Sequence, residues 1–253
     1  MRFIRTTTTD YMVRNSANTG DEIDSTAKWV LPTHQRRSRL KRDRLLKAGE
    51  NVFAQQGFSD AHVSDIASKA GCSIGSFYRR FKDKEALFLA LQGDFHDKAH
   101  AAIDEFFSHP ACEKTSLTRV CFRLIENAAA AELNSKGYYR ALFEISLRGI
   151  DVWGRMRELE RYQAENLKRL FSRRGHRTLR RDFVPAVGAT LRMILGNQMS
   201  MLLHGPGPFE HNDFASNCEF TRILMAVAGI PADEKELKRI RSIHERKRGM
   251  CRS

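Results

Sequence analysis

No run of apolar residues in this 253-residue sequence approaches the roughly 18 that a membrane-spanning helix requires. The first twenty residues begin with a positive charge but lack the apolar central run of a secretory signal, so a cytoplasmic protein is expected. Cysteine is sparse. Cys72, Cys112, Cys121, Cys218 and Cys251 are odd in number and dispersed, with no C-x-x-C pair and no histidine pair at zinc-finger spacing. That pattern argues against a disulfide framework and against a metal site, and leaves reduced thiols. Catalytic signatures are missing as well. Gly205-Pro206-Gly207-Pro208 has no Lys-Ser/Thr ending and is no phosphate loop, and there is no nucleophile elbow. His96 and His100 stand at i, i+4, but Asp97 and Lys98 between them do not make a metalloprotease pattern, and the pair reads as solvated surface. No enzyme, cofactor or metal is expected.

Acidic groups are also in short supply: 30 against 43 basic ones, a net charge of +13. The excess is uneven. Residues 1–35 are neutral, 36–92 carry +6, 93–232 carry +3, and 233–253 carry +4. A basic surface at two places suits a polyanionic partner.

What is present is helical. Residues 1–35 are rich in Thr, Ser, Asn and Asp without a sustained period, and read as a disordered arm. In the next stretch Leu45, Ala48, Gly49, Val52 and Phe53 recur at helical spacing, with Arg36, Arg37, Arg39, Lys41, Arg42 and Arg44 opposite and Gly57 as a stop. Further amphipathic segments follow to residue 230, punctuated by Pro110, Gly137, Gly149 and Gly175, with no convincing strand. The fold class is all-α. The tail, 231–253, is acidic first and basic last, and carries too few apolar residues to pack firmly.

The informative stretch is residues 62–88, HVSDIASKAGCSIGSFYRRFKDKEALF. Val63, Ile66, Ala67 and Ala70 share one face of a two-turn helix, Gly71 supplies a turn, and Ser73 is placed to cap a second helix. In that helix Ile74, Phe77 and Phe81 fall near one stripe, while Ser76, Arg79 and Arg80 lie largely elsewhere. Such a helix-turn-helix sets its second helix into the major groove of DNA. Gly75 and Ser76 keep the front of the helix slim; Arg79 and Arg80 can reach phosphates or guanine acceptors. Tyr78, Lys82 and Lys84 offer further donors to phosphate.

From Leu45 to Leu87 the sequence resembles the DNA-binding domain of the TetR family of transcriptional regulators, through LLKAGENVFAQQGF, VSDIASKAGCSIGSFYRRF and KDKEALF. The resemblance implies a three-helix DNA-binding domain over 36–92 and a larger helical effector-binding and dimerisation domain over 93–230. It makes Ser64, Ile74, Gly75, Ser76 and Arg79 candidates for base or groove contact, and Tyr78, Arg80 and Lys84 candidates for phosphate contact. Phe77, Phe81, Ile66 and Ala67 would be core. His62 departs from the family's Ser or Thr cap, and stands between a structural and a phosphate role. The last two apolar segments, 182–204 and 212–229, resemble the pair that forms a homodimer interface. Val187, Leu191, Ile194 and Leu195, with Phe220, Ile223, Leu224 and Val227, would form faces broader than a single chain buries. A small apolar or amphipathic effector would sit in the second domain, where Phe106, Phe107, Phe122, Phe143, Trp153, Met156, Met193 and Met199 are either core or cavity wall. The expected protein is a dimeric regulator, released as a repressor from a near-palindromic operator on double-stranded DNA. The alternative is an architectural or developmental DNA-binding protein whose second domain binds another protein.

Overall fold

The computed structural model describes residues 33–176, 180–205 and 210–250, with side chains described from 38 to 246 within those segments. The described residues form helices and no strand. In chain order these are α1 (Thr33–Asp60), α2 (Val63–Lys69), α3 (Ile74–Tyr78), α4 (Lys84–Ser108), α5 (Ala111–Lys114), α6 (Leu117–Asn134), α7 (Lys136–Ser146), α8 (Gly154–Arg173), α9 (Phe183–His204), α10 (Phe214–Val227) and α11 (Glu234–Met250). None is long and apolar enough to cross a membrane. Most of the expected arm, and most of the Gly-Pro-Gly-Pro loop, lie outside the described residues; α1 begins at Thr33, inside the last three residues of that arm.

Helix α1 buries the expected stripe, with Leu46 added to it. The helical run breaks at Gly57, whose φ of 84° and ψ of 174° suit glycine, and the chain turns Phe58 into the core. Phe58 meets Phe53 and Phe88 at ring separations of 5.3 and 6.0 Å. Each fully buried phenylalanine contributes about 1.5–3 kcal/mol relative to exposure.

The expected 92/93 boundary falls inside α4 and is not a break in packing. Tyr138 of α7 lies against Phe88 and Phe95 of α4, with ring centroids 5.9 and 4.4 Å away. One apolar cluster therefore runs from the helix-turn-helix into α7, α8 and α9. A second joins α6, α8, α9 and α10.

Two expectations are corrected here. The named apolar residues of α9 and α10 are largely buried within the single chain: Val187, Ile194, Leu195, Phe220 and Leu224 all face its own core, Leu191 and Val227 are half-buried, and of the eight only Ile223 is exposed. Their helices pack on α6 and α8, which absorb those faces. The tail is also better anchored than its composition suggests. Leu237 of α11 is buried with Phe122, Phe214 and Cys218, Arg119 of α6 pairs with the buried Glu236, and the Asp233 amide donates to Thr118 Oγ1 at 2.9 Å. One leucine and two polar anchors serve where an apolar stripe was absent.

Candidate nucleic-acid interface

Helices α2 and α3 are joined by a turn whose hydrogen bonds explain its sequence. The Cys72 amide donates to Ala67 O and the Gly71 amide to Ser68 O, both at 3.0 Å, which closes α2 in a Schellman motif. Gly71 sits at the left-handed position, with φ of 65°. Ser73 then caps α3, its Oγ accepting from the Ser76 amide at 3.2 Å. Asp83 caps α4 through the Ala86 amide at 2.7 Å. His62 precedes α2 without making a capping hydrogen bond, and its side chain is exposed.

Beneath the turn, Ile66, Ala67, Phe77 and Phe81 are buried, as their spacing implies. Phe77 packs on Phe81 at 5.7 Å and takes the edge of Tyr78 at 5.5 Å. Ile74 does not join that stripe. It is 48% exposed, and Tyr78 is 55% exposed, large apolar surfaces left uncovered beside a buried pair.

The expected contact residues fall into groups. Ser64, Ile74, Tyr78 and Lys84 line one open depression together with His62 and Lys82. Gly75, Ser76 and Arg79 continue along α3; Arg79 is exposed, and its guanidinium donates to Ser76 Oγ at 2.7 Å. Arg80 is half-buried, donating to Ser76 O at 3.3 Å, with its Nε left without a partner.

Lys84 is placed differently from a free phosphate ligand. Its Nζ donates to Phe58 O and Ser59 O at 2.8 Å and to Ala61 O at 3.2 Å, and lies 4.9 Å from the Phe58 ring centre. All three ammonium donors tie down the end of α1. Lys82, exposed in the same depression, was visible in the sequence as a basic residue but not separable from Lys84 without the geometry.

Within the later helices a cavity of ≈ 190 Å³ is walled by apolar residues including Phe106, Ile103, Ile125 and Met156. Asn127, Glu132, Glu160, Gln163 and Gln198 supply its polar points. Gln198 Nε2 is buried without an acceptor. Glu160 is held by Arg192 Nε at 2.9 Å. Burial pushes the Glu132 carboxyl up to about 7, against the opposing hydrogen bond from His211 at 3.3 Å. Of the eight residues weighed as cavity wall or core, Phe106 and Met156 line this space. Phe122 joins the α11 cluster, Phe143 pairs with Trp153 at 5.0 Å, Met199 is core and Met193 is exposed.

A helix-turn-helix that buries its aromatic pair and exposes an apolar and basic second helix has the architecture of the DNA-binding helix-turn-helix class. Residues 45–91 match the model of the bacterial regulatory proteins of the tetR family, and the chain carries the DNA-binding domain of that family. Over 57 residues it is 53% identical to the uncharacterized HTH-type transcriptional regulator YdgC of Bacillus subtilis, covering 22% of this chain and 29% of that protein. Over 93 residues it is 32% identical to the HTH-type transcriptional repressor KstR2 of Mycolicibacterium smegmatis, covering 36% and 45%. The matched segments thus span less than half of these relatives, both named as HTH-type transcriptional regulators or repressors. The fold is shared more widely. A candidate TetR-family transcriptional regulator from Mesorhizobium loti superposes with a TM-score of 0.60 at 18% identity, over 76% of this chain and 98% of the other.

Proposed function

We propose that the protein is a dimeric, sequence-specific transcriptional repressor of the cytoplasm, released from its operator by a small molecule. The observation that carries the DNA-binding half is the exposure of Ile74, Tyr78 and Arg79 above the buried Phe77 and Phe81. Ser64, Ile74, Gly75, Ser76 and Arg79 meet base edges and groove walls, while Tyr78 and Arg80 hold phosphates. Lys84 adds its charge to that surface while its donors stay on the α1 carbonyls.

Dimerisation uses the side of α9 and α10 that the chain's own core leaves open. Met193 is 71% exposed and Ile223 46%, and the small residues Ala189, Gly196, Ser200 and Ala226 are exposed on the same two helices. Two recognition helices held by such a dimer would meet half-sites about 34–36 Å apart, or multiples of that repeat. The effector is small and mostly apolar, with a hydrogen-bond acceptor for Gln198. A surface cleft of ≈ 600 Å³ shares Ala102, Phe106, Asn127 and Ala131 with the cavity and offers the way in.

Selection of random duplex DNA against the purified chain, at fixed salt, tests the reading. Enrichment of a near-palindrome supports it and supplies the probe for finding the releasing ligand. Tight but unselective binding would favour an architectural role instead.

A further inference from the structure

The seam between α4 and α8 carries a polar ladder among apolar contacts. His96, His100 and Asp104 stand one turn apart on α4, and Glu158 and Tyr162 face them from α8. The two imidazoles lie 4.5 Å apart, and the His100 ring is 4.6 Å from that of Tyr162, whose hydroxyl donates to Asp104. His96 Nε2 is buried and makes no hydrogen bond, though Glu158 Oε2 is only 3.5 Å away. One ligating atom from each of His96, His100 and Glu158 falls within 4.8 Å of the others.

We propose that His96, His100 and Glu158 bind a divalent transition-metal ion of the zinc class, bridging α4 to α8. Two imidazoles with one carboxylate suit zinc and its neighbours and disfavour magnesium and calcium, which take oxygen ligands. Bonds of about 2.0–2.1 Å at tetrahedral angles set ligand atoms roughly 3.4 Å apart, and His96 and Glu158 already stand at that separation. Glu158 is half-exposed, free to swing toward His100. A fourth position open to water makes the ion exchangeable, unlike a closed four-ligand structural site.

An unpartnered buried imidazole nitrogen needs a reason, and a metal supplies one. Burial, with His100 alongside, holds His96 below its ordinary pKa. The charged groups around it are Glu158 and Arg155 from α8 and Asp97 from α4; Arg155 opposes a cation and the two carboxylates favour one. Because α4 begins at the helix-turn-helix, the ion would tie that helix to the body of the effector domain.

The sequence reading of His96 and His100 as solvated surface is corrected by their partial burial, the His96 side chain being only 14% exposed. Their third partner lies far down the chain, out of reach of any spacing rule.

The test is titration of the untagged, chelator-treated full chain with Co(II), read by visible ligand-field absorption, followed by displacement with Zn(II). One Co(II) per chain is expected, with the bands of a four-coordinate nitrogen–oxygen site. His100→Ala and Glu158→Gln should each weaken binding by roughly 100-fold or more, at least the loss seen when a ligand's supporting partner is removed. Glu158→Gln alters a half-exposed side chain and leaves the fold intact. Cys72→Ser, at the partly exposed thiol of the α2–α3 turn, should change nothing. Absence of Co(II) binding, binding undiminished in both ligand variants, or binding lost in Cys72→Ser would each overturn the proposal.

Discussion

At the residue scale the helix-turn-helix separates side chains that hold the domain from those that face outward, and neighbours in sequence take opposite roles. Lys84 is the clearest case. Three carbonyls at the end of α1 lose their donor in Lys84→Ala, so the variant should lose about 2 kcal/mol of stability, the scale of a hydrogen bond to a charged group. Denaturant unfolding in the absence of DNA measures this. A residue acting only on phosphate would leave the midpoint unmoved. Arg79 makes the opposite prediction. Its guanidinium is exposed and held only by Ser76 Oγ. Arg79→Ala should leave stability within about 0.5 kcal/mol and reduce discrimination between the selected operator and random duplex by about 1–3 kcal/mol. Competition binding on the two DNAs reads that difference.

At the element scale the notable joint is between α1 and α7. Arg140 Nη1 donates to Ala54 O and Gln55 O at 3.1 and 3.2 Å, and Glu144 Oε2 accepts from the Phe58 and Ser59 amides at 2.8 and 2.9 Å. One ion pair on α7 thereby satisfies backbone groups on both sides of the Gly57 break. Nearer its start α7 approaches the α1 backbone so closely that a Cβ on Gly137 would stand 1.9 Å from Glu50 O. Backbone cannot yield as a flexible side chain can. Gly137→Ala should therefore destabilise the chain by about 3 kcal/mol, at the upper end of ordinary overpacking, with loss of the Gly137 amide bond to Glu50 Oε1 at 2.8 Å. Thermal unfolding of the variant tests it, and an unchanged Tm would mean that the two helices are not docked as described.

For the whole molecule, the buried Glu132 makes stability depend on pH. Its folded pKa of about 7 lies above its ordinary 4.5, so between those values the folded chain binds the proton more tightly than the unfolded chain. Stability should fall as pH rises through that window and level off above about 7. Glu132→Gln keeps the shape, removes the titration, and should flatten this part of a Tm-against-pH curve. An equally steep curve in the variant would assign the slope to groups other than Glu132. The same carboxyl lines the cavity, so an effector that contacts it would bind with a pH dependence of its own.

The sequence by itself determined the helical class, the helix-turn-helix and its caps and stops, because these depend on interactions within a few residues: helical spacing of apolar groups, Ser73 over Ser76, Gly71 at a left-handed turn. It also told which side of α1 is core. Tertiary structure alone decided matters that join distant parts of the chain. It turned Ile74 outward and bound Lys84 to the end of α1. It seated α11 on α6 through one leucine and an ion pair, and took most of the apolar faces of α9 and α10 into the chain's own core. It also brought Glu158 to His96 and His100. A periodicity shows that a face must be buried, but only packing chooses the surface that buries it.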